Sequence, residues 1–297
     1  MKIIVFIVLA VLITYVGICI HIGCKMVYKA GHPPRIKQSS LFQIAYEYSR
    51  FTFQTFDNLT LSGVKYMPKQ MPKGTILVFH YLGGTSISIY SYIETLLLNG
   101  FIVASFDYVN HGESMNRKRS TYLHEKDLEY FIRTIKEMNF PEPYGTMGFS
   151  MGASLALSAR DYLPEVKATV IDSGPLIYTK DYFRFVLNNK KVKNIIVRYA
   201  FTFIFVYLEG FLKMSRRMKY RMENCTGLHL LMIHCKKDNT ISYKNARYVY
   251  EMVKSQDVKL VTALKGHHLT NRVFLGDMYD EMVTDFFLSR MLNKENY

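Results

Sequence analysis

Short apolar runs alternate with helix-like segments along most of the chain, and this alternation constrains the fold more than any other feature. Strands of the buried type are predicted at residues 76–80, 101–106, 144–149, 167–172, 228–235 and 258–264. Helices are predicted between them at 86–98, 120–138, 151–162, 243–254 and 274–292. Because strand–helix alternation joins parallel strands by right-handed crossovers, the sequence predicts an α/β fold, with a mostly parallel twisted sheet and helices on both faces.

Two segments depart from this alternation. Residues 51–67 alternate apolar and polar side chains on both sides of Asp57-Asn58, which predicts a hairpin. Residues 175–226 are too long for a plain crossover and predict a mostly helical cap over the carboxyl edge of the sheet. Within the cap, 195–214 is expected to be one amphipathic helix rather than a second membrane span, since Arg198, Glu209 and Lys213 interrupt it.

The amino terminus predicts a membrane anchor. Residues 3–24 contain 22 residues and no Lys, Arg, Asp or Glu, and a helix of that length spans the roughly 30 Å hydrocarbon core. A cleaved signal peptide, a lipidated Cys24 and a buried core helix remain alternatives. We therefore expect a transmembrane anchor over 1–24, a linker over 25–45 and a folded domain over 46–297 that contains the cap. Basic residues are more numerous after the span than before it, which favours a single-pass protein with the domain in the cytoplasm.

The chain as a whole is basic. It carries 38 Lys or Arg and 24 Asp or Glu, a net charge of +14. Residues 175–226 hold eleven of the basic side chains and only three acidic ones. A charge balance of this kind suggests an anionic partner. With an apolar anchor and no nucleic-acid motif, we expect a membrane surface contacted by the basic cap, and no nucleic acid.

One motif carries chemistry. The sequence Gly148-Phe149-Ser150-Met151-Gly152 follows a predicted apolar strand and precedes an alanine-rich helix. A sharp turn at this place exposes the serine hydroxyl at the helix amino terminus, where the backbone dipole favours a developing negative charge. Small residues on either side let the strand and the helix pack closely. Ser150 is therefore the predicted nucleophile.

The order of motifs around this serine resembles the α/β-hydrolase superfamily over about residues 50–297. Residues 107–114 are similar to the family's Asp-x-x-Gly-His-Gly-x-Ser loop, with Asn110 in place of a glycine. Residues 80–84, His-Tyr-Leu-Gly-Gly, resemble its oxyanion loop, with Tyr81 in place of a glycine. The resemblance implies an oxyanion hole formed by the backbone amides of Leu82 and Met151.

The same resemblance implies an acid and a base. Asp238 follows the strand at 228–235 and is the expected acid, with Asp172 at the end of the preceding strand as its rival. His267 in Gly266-His267-His268 is the expected base, with His268 as its rival. The order serine, acid, histidine is the one that this fold requires.

These features predict a membrane-anchored serine hydrolase that cleaves a lipid-like or small carboxylic ester through an acyl-enzyme. The motif order is similar to that of monoacylglycerol lipases and serine aminopeptidases, so a peptidase or an acyltransferase is an alternative. A catalytically silent, membrane-tethered binding protein is the alternative from another class. No metal-ligand spacing and no phosphate-binding glycine loop is present, so we predict neither a metal nor another cofactor.

Overall fold

An eight-stranded, mostly parallel sheet forms the centre of the computed structural model, which describes residues 2–35, 44–117, 124–208, 210–254 and 256–292. The strands are β1 (Tyr48–Gln54), β2 (Thr60–Tyr66), β3 (Gly74–Phe79), β4 (Phe101–Phe106), β5 (Tyr144–Phe149), β6 (Val166–Asp172), β7 (His229–Cys235) and β8 (Asp257–Ala263). Their order in the sheet is β1-β2-β4-β3-β5-β6-β7-β8. β2 pairs antiparallel with β1, as the hairpin predicts, and also with β4, while the other neighbours are parallel. The predicted α/β fold is confirmed.

Helices cover both faces of the sheet and close two hydrophobic cores. On one face lie α3 (Glu125–Glu137), α4 (Met151–Ser158) and α8 (Tyr243–Val253). On the other face lie α2 (Tyr90–Leu98) and α10 (Asp277–Met291), and the short α9 (Asn271–Leu275) precedes α10. The parallel strands β3, β4 and β5 are buried along their full length, which is why their sequences are continuous apolar runs. α2 begins at Tyr90 rather than at 86, because Thr85 and Ser88 bond each other in a turn.

The cap is helical but is built differently from the single helix expected over 195–214. It comprises α5 (Thr179–Asn189), α6 (Ile195–Phe203) with a π-helical turn at Ile204–Leu208, and α7 (Phe211–Glu223). Gly210 adopts a φ of 77°, which a residue with a side chain rarely adopts, and the chain bends by 53° between the two helical parts. Phe201, Phe205 and Phe211 meet in a separate hydrophobic core inside the cap.

The amino-terminal helix α1 extends from Lys2 to Gly31, seven residues beyond the predicted end of the anchor at residue 24. Its last turns continue because they pack on the cap: Gly23 lies against Ala200, and Val27 is buried in the cap core. Within the described residues, α1 is the one unbroken helix long and apolar enough to cross a membrane. The segment 25–31 is thus part of the helix rather than of the linker, and residues 36–43 of that linker lie outside the described residues.

Candidate active site

Ser150 occupies the sharp turn between β5 and α4. Its backbone has a φ of 53° and a ψ of −109°, a strained conformation for a residue with a side chain. The flanking glycines are required by close packing. A Cβ at Gly148 would lie 2.2 Å from the carbonyl oxygen of Gly152, and one at Gly152 would lie 2.2 Å from the carbonyl oxygen of Phe79. The turn therefore has the geometry that the Gly-x-Ser-x-Gly motif predicts.

His268, and not His267, contacts the serine. The Nε2 atom of His268 lies 2.8 Å from Ser150 Oγ, and its Nδ1 atom lies 2.7 Å from Asp238 Oδ2. The side chain of His267 is exposed, and its backbone N–H and C=O both bond the hydroxyl of Thr270. The expectation of His267 as the base is corrected to its rival, because the turn anchored by Thr270 directs the next side chain toward the serine.

Asp238 lies where the sequence places the acid, at the end of β7. Its Oδ1 atom accepts hydrogen bonds from the backbone amides of Thr240 and Ile241, both at 2.8 Å. Its Oδ2 atom remains for His268, and the side chain is fully buried. His234 lies beside it, with Nε2 donating to the carbonyl of Ile241 at 2.8 Å, and burial lowers the pKa of that imidazole. These contacts fix the carboxylate in one orientation.

Asp172, the rival acid, performs a different task. Its carboxylate accepts hydrogen bonds from Ser173 Oγ, Asn271 Nδ2 and Tyr279 Oη at 2.7–2.8 Å. Burial raises the pKa of this carboxyl group. Ser173 Oγ in turn accepts a hydrogen bond from the backbone N–H of Leu269. Asp172 therefore holds the loop that carries His268 without touching the imidazole itself.

Leu82 and Met151 line the same cavity as Ser150, as an oxyanion hole requires. The amide of Met151 is the first in α4, so its own helix offers it no carbonyl. Tyr81, which replaces a glycine of the motif, does not have a positive φ. The positive φ of this loop is at Gly83, where it is 80°. The loop is supported from below, where the ring of His80 stacks on Tyr108 at 3.8 Å between centroids.

Asn110 connects the loop 107–117 to the end of α1. Its φ of 67° is the left-handed conformation that asparagine tolerates better than most residues, which explains how it replaces the glycine of the motif. Its side chain donates to the carbonyl of Gly31 at the end of α1. Arg35 donates to the carbonyls of Gly112 and Ser114, both at 2.5 Å. The segment that leaves α1 is thus bonded to the domain close to the site.

A cavity of about 260 Å³ opens onto the serine. The described residues that line it include no Asp, Glu, Lys or Arg and are mostly apolar, and the cap contributes many of them. Its lining comprises Tyr81, Leu82, Ser150, Met151, Ser154, Leu176, Tyr182, Phe185, Val186, Phe205, Phe211, Met214, Thr240, Ile241, His268 and Leu269. This volume lies just below the roughly 300–1,000 Å³ usual for small-molecule sites, so it fits one acyl group of modest size.

Taken together, these atoms can move a proton and hold a negative charge. A serine hydroxyl within hydrogen-bond reach of an imidazole becomes a nucleophile when the imidazole removes its proton. A buried carboxylate on the other ring nitrogen fixes the tautomer and stabilises the imidazolium. The sequence did not single out Ser173 and Asn271, which hold the histidine loop from behind. Both are small polar residues in loops, and no spacing marks them.

Known proteins resemble this chain in sequence and in fold. Residues 70–203 match the family described as serine aminopeptidase, S33. No curated protein sequence shows a significant match. The esterase Pf2001 of Pyrococcus furiosus has a similar structure, with a TM-score of 0.70 and 23% identity over 88% of this chain and 100% of that one.

Two further solved structures share the fold. A thermostable carboxyl esterase from Bacillus coagulans has a TM-score of 0.65 and 15% identity over 84% of this chain and 100% of that one. The acylaminoacyl peptidase of Pyrococcus horikoshii has a TM-score of 0.62 and 17% identity over 85% of this chain and 43% of that one. The chain has the fold of these esterases and of this peptidase, and residues 70–203 are similar in sequence to the serine aminopeptidase family.

Proposed function

We propose that this protein is a membrane-anchored esterase that cleaves a carboxylic ester of modest acyl length through an acyl-enzyme. The observation that carries the proposal is the unbroken set of hydrogen bonds from Ser150 through His268 to Asp238. In this reaction Ser150 Oγ attacks the ester carbonyl carbon and its proton passes to His268 Nε2. The amides of Leu82 and Met151 hold the negative charge that develops on the carbonyl oxygen.

The second half of the reaction uses the same groups. Collapse of the tetrahedral intermediate breaks the bond to the alcohol, which leaves with the proton from His268. A water molecule then attacks the acyl-serine, His268 takes its proton, and release of the acid restores the serine hydroxyl. Acyl transfer to an alcohol would follow the same path with a different acceptor.

The lining of the cavity favours an ester over an aminopeptidase substrate. An aminopeptidase has to receive a free ammonium group close to the scissile bond, and a buried ammonium requires a charged or strongly polar partner. The described residues that line this cavity include no Asp or Glu. A peptidase remains the second candidate, because the matching family is described as serine aminopeptidase.

The membrane part of the proposal rests on α1. In this helix the side chains from Ile3 to Ile13 are largely exposed, with 76% at Ile3 and 64% at Ile13, and they form an apolar surface that a bilayer would cover. The basic residues after the span favour a cytoplasmic domain. Protease protection of sealed vesicles tests this orientation. In vesicles sealed with the cytoplasmic face inward, a domain that the protease digests only after the vesicles are opened supports this orientation. A domain that is digested while the vesicles are still sealed contradicts it.

The activity is tested with the full chain in detergent micelles, on matched p-nitrophenyl esters and aminoacyl p-nitroanilides. We expect ester hydrolysis that Ser150→Ala and His268→Ala reduce by several orders of magnitude, and that His267→Ala leaves nearly intact. His267→Ala is the matched control, because it changes the neighbouring imidazole. Faster anilide than ester cleavage would favour the peptidase. Ester hydrolysis that survives Ser150→Ala would refute the nucleophile.

A further inference from the structure

We propose that the cap binds the lipid bilayer directly, through an exposed apolar stripe on α6 and the π-helical turn that follows it. The stripe consists of Ile195, Tyr199, Phe203, Tyr207 and Leu208. This inference rests on the membrane insertion of α1 given above. It adds a second contact with the membrane and indicates where the substrate comes from.

The side chains of the stripe are apolar, and the described residues leave them largely exposed. Its five side chains are 64%, 71%, 56%, 61% and 69% exposed in chain order. Four of them recur at every fourth position, so they form one line along the helix. On the opposite side, Val197, Phe201 and Phe205 are buried in the cap. A helix that is apolar on both sides requires an apolar environment on both.

The position of α6 identifies the bilayer as this environment. α6 packs alongside the second half of α1, so closely that a Cβ at Gly23 would lie 2.9 Å from Ala200 Cβ. At the beginning of α6, Asn194 donates to the hydroxyl of Tyr15 at 2.6 Å. A bilayer that receives the apolar surface of α1 is therefore brought to the stripe as well.

The charges at the two ends of the stripe fit a lipid surface. Lys190, Lys191 and Lys193 precede α6 and are exposed, and Lys213 and Arg216 follow the π-helical turn and are exposed. Long Lys and Arg side chains at the ends of an apolar helix can extend toward the lipid phosphates while their apolar stems stay in contact with lipid. The two tyrosines of the stripe are residues that favour the same depth.

The stripe and the cavity are separated by a single layer of helix. Phe205 belongs to the π-helical turn, between the exposed Phe203 and Tyr207, and its ring lines the cavity at Ser150. An acyl chain that leaves the bilayer beneath the stripe would cross only this turn to reach the serine. The substrate class that follows is a membrane-resident ester, such as a single-chain lipid ester, rather than a soluble metabolite.

The sequence contains no tryptophan, which permits a direct measurement of depth. Tyr199→Trp and Phe203→Trp each introduce a unique indole into the full chain, and Met71→Trp is the matched control. Met71 is 86% exposed and precedes β3, so it lies at the opposite edge of the sheet from the cap. The proteins are reconstituted into phosphatidylcholine–phosphatidylserine vesicles that contain brominated acyl chains.

We expect quenching and a blue shift of the indole at positions 199 and 203, and neither change at 71. If the protein floats with the vesicles but the indole at 203 is not quenched, membrane insertion of α1 is supported and the stripe proposal is refuted. If the protein does not float, the membrane anchor itself fails, and the stripe proposal fails with it.

A kinetic test addresses substrate access. Phe203→Ser combined with Tyr207→Ser should lower the rate on a lipid ester of modest acyl length embedded in vesicles, while the rate on a water-soluble short ester stays unchanged. Met71→Ser should change neither rate. An equal loss of rate on both substrates would contradict access through the stripe. An unchanged rate on both substrates would also contradict it.

Discussion

Acidification is expected to destabilise the folded chain, because imidazoles are buried beneath the oxyanion loop in their neutral form. His111 is 2% exposed, and burial lowers its pKa from 6.5 to about 4. Burial lowers the pKa of the neighbouring His80 as well. The rings of these two histidines lie 5.3 Å apart, so a proton on either one would be repelled by a charge on the other.

The sign of the effect follows from proton uptake. Between about pH 6.5 and pH 4 the unfolded chain binds a proton at His111 that the folded chain does not, so stability falls as the pH falls through that window. Above about pH 6.5, His111 is neutral in both the folded and the unfolded chain, so none of this stability has been lost. From about pH 7.5 to about pH 5, the two pKa values give a loss of about 2 kcal/mol of unfolding free energy from this residue alone.

The assay is urea unfolding of the full chain in detergent, followed by circular dichroism at both pH values. His111→Asn removes the titrating group and keeps an N–H that can donate to the carbonyl of Val109. The variant should lose about 2 kcal/mol less than the wild type over the same interval. His267→Asn, at an exposed histidine, should behave as the wild type does. An equal pH dependence in His111→Asn and wild type would refute the reasoning.

Three further predictions concern the segment after α1, the two buried carboxylates and the cavity wall. Arg35→Ala removes charged hydrogen bonds between the segment that follows α1 and the loop 107–117 and should cost about 1–3 kcal/mol in urea unfolding, while Lys29→Ala should cost little. Asp172→Asn should lower the melting temperature but keep turnover within a few-fold, whereas Asp238→Asn should lower kcat by about ten-thousandfold. Met214→Ala, in the cavity wall, should shift the preference among p-nitrophenyl esters toward longer acyl chains and lower stability by about 2–5 kcal/mol.

Much of the fold could be predicted from the sequence because its determinants are local. A strand buried on both faces of a parallel sheet is an apolar run, and the predicted strand at 144–149 coincides with β5. The turn at Ser150 also follows from neighbours in sequence, since Gly148 and Gly152 are the residues whose side chains would collide with backbone. Asp238 was implied by the resemblance of the end of β7 to the family motif, and its carboxylate lies on His268.

What could not be predicted depends on contacts between distant segments. The choice between His267 and His268 is a shift of one residue, and it is decided by the turn that Thr270 anchors and by the backbone of Leu269, whose φ is 60°. The continuation of α1 to Gly31 depends on the cap, where Ala200 packs on Gly23 from 177 residues further along the chain (200 minus 23). Periodicity carries no information on such contacts.

The central claim is that Ser150 is activated by His268 within the full chain. Labelling by a fluorophosphonate probe tests it most directly, in wild type, Ser150→Ala, His268→Ala and His267→Ala, with residues 1–35 retained because they bond the loop beside the site. We expect labelling of the wild type and of His267→Ala, and none of Ser150→Ala or His268→Ala. Labelling that persists in His268→Ala but disappears in His267→Ala would contradict it.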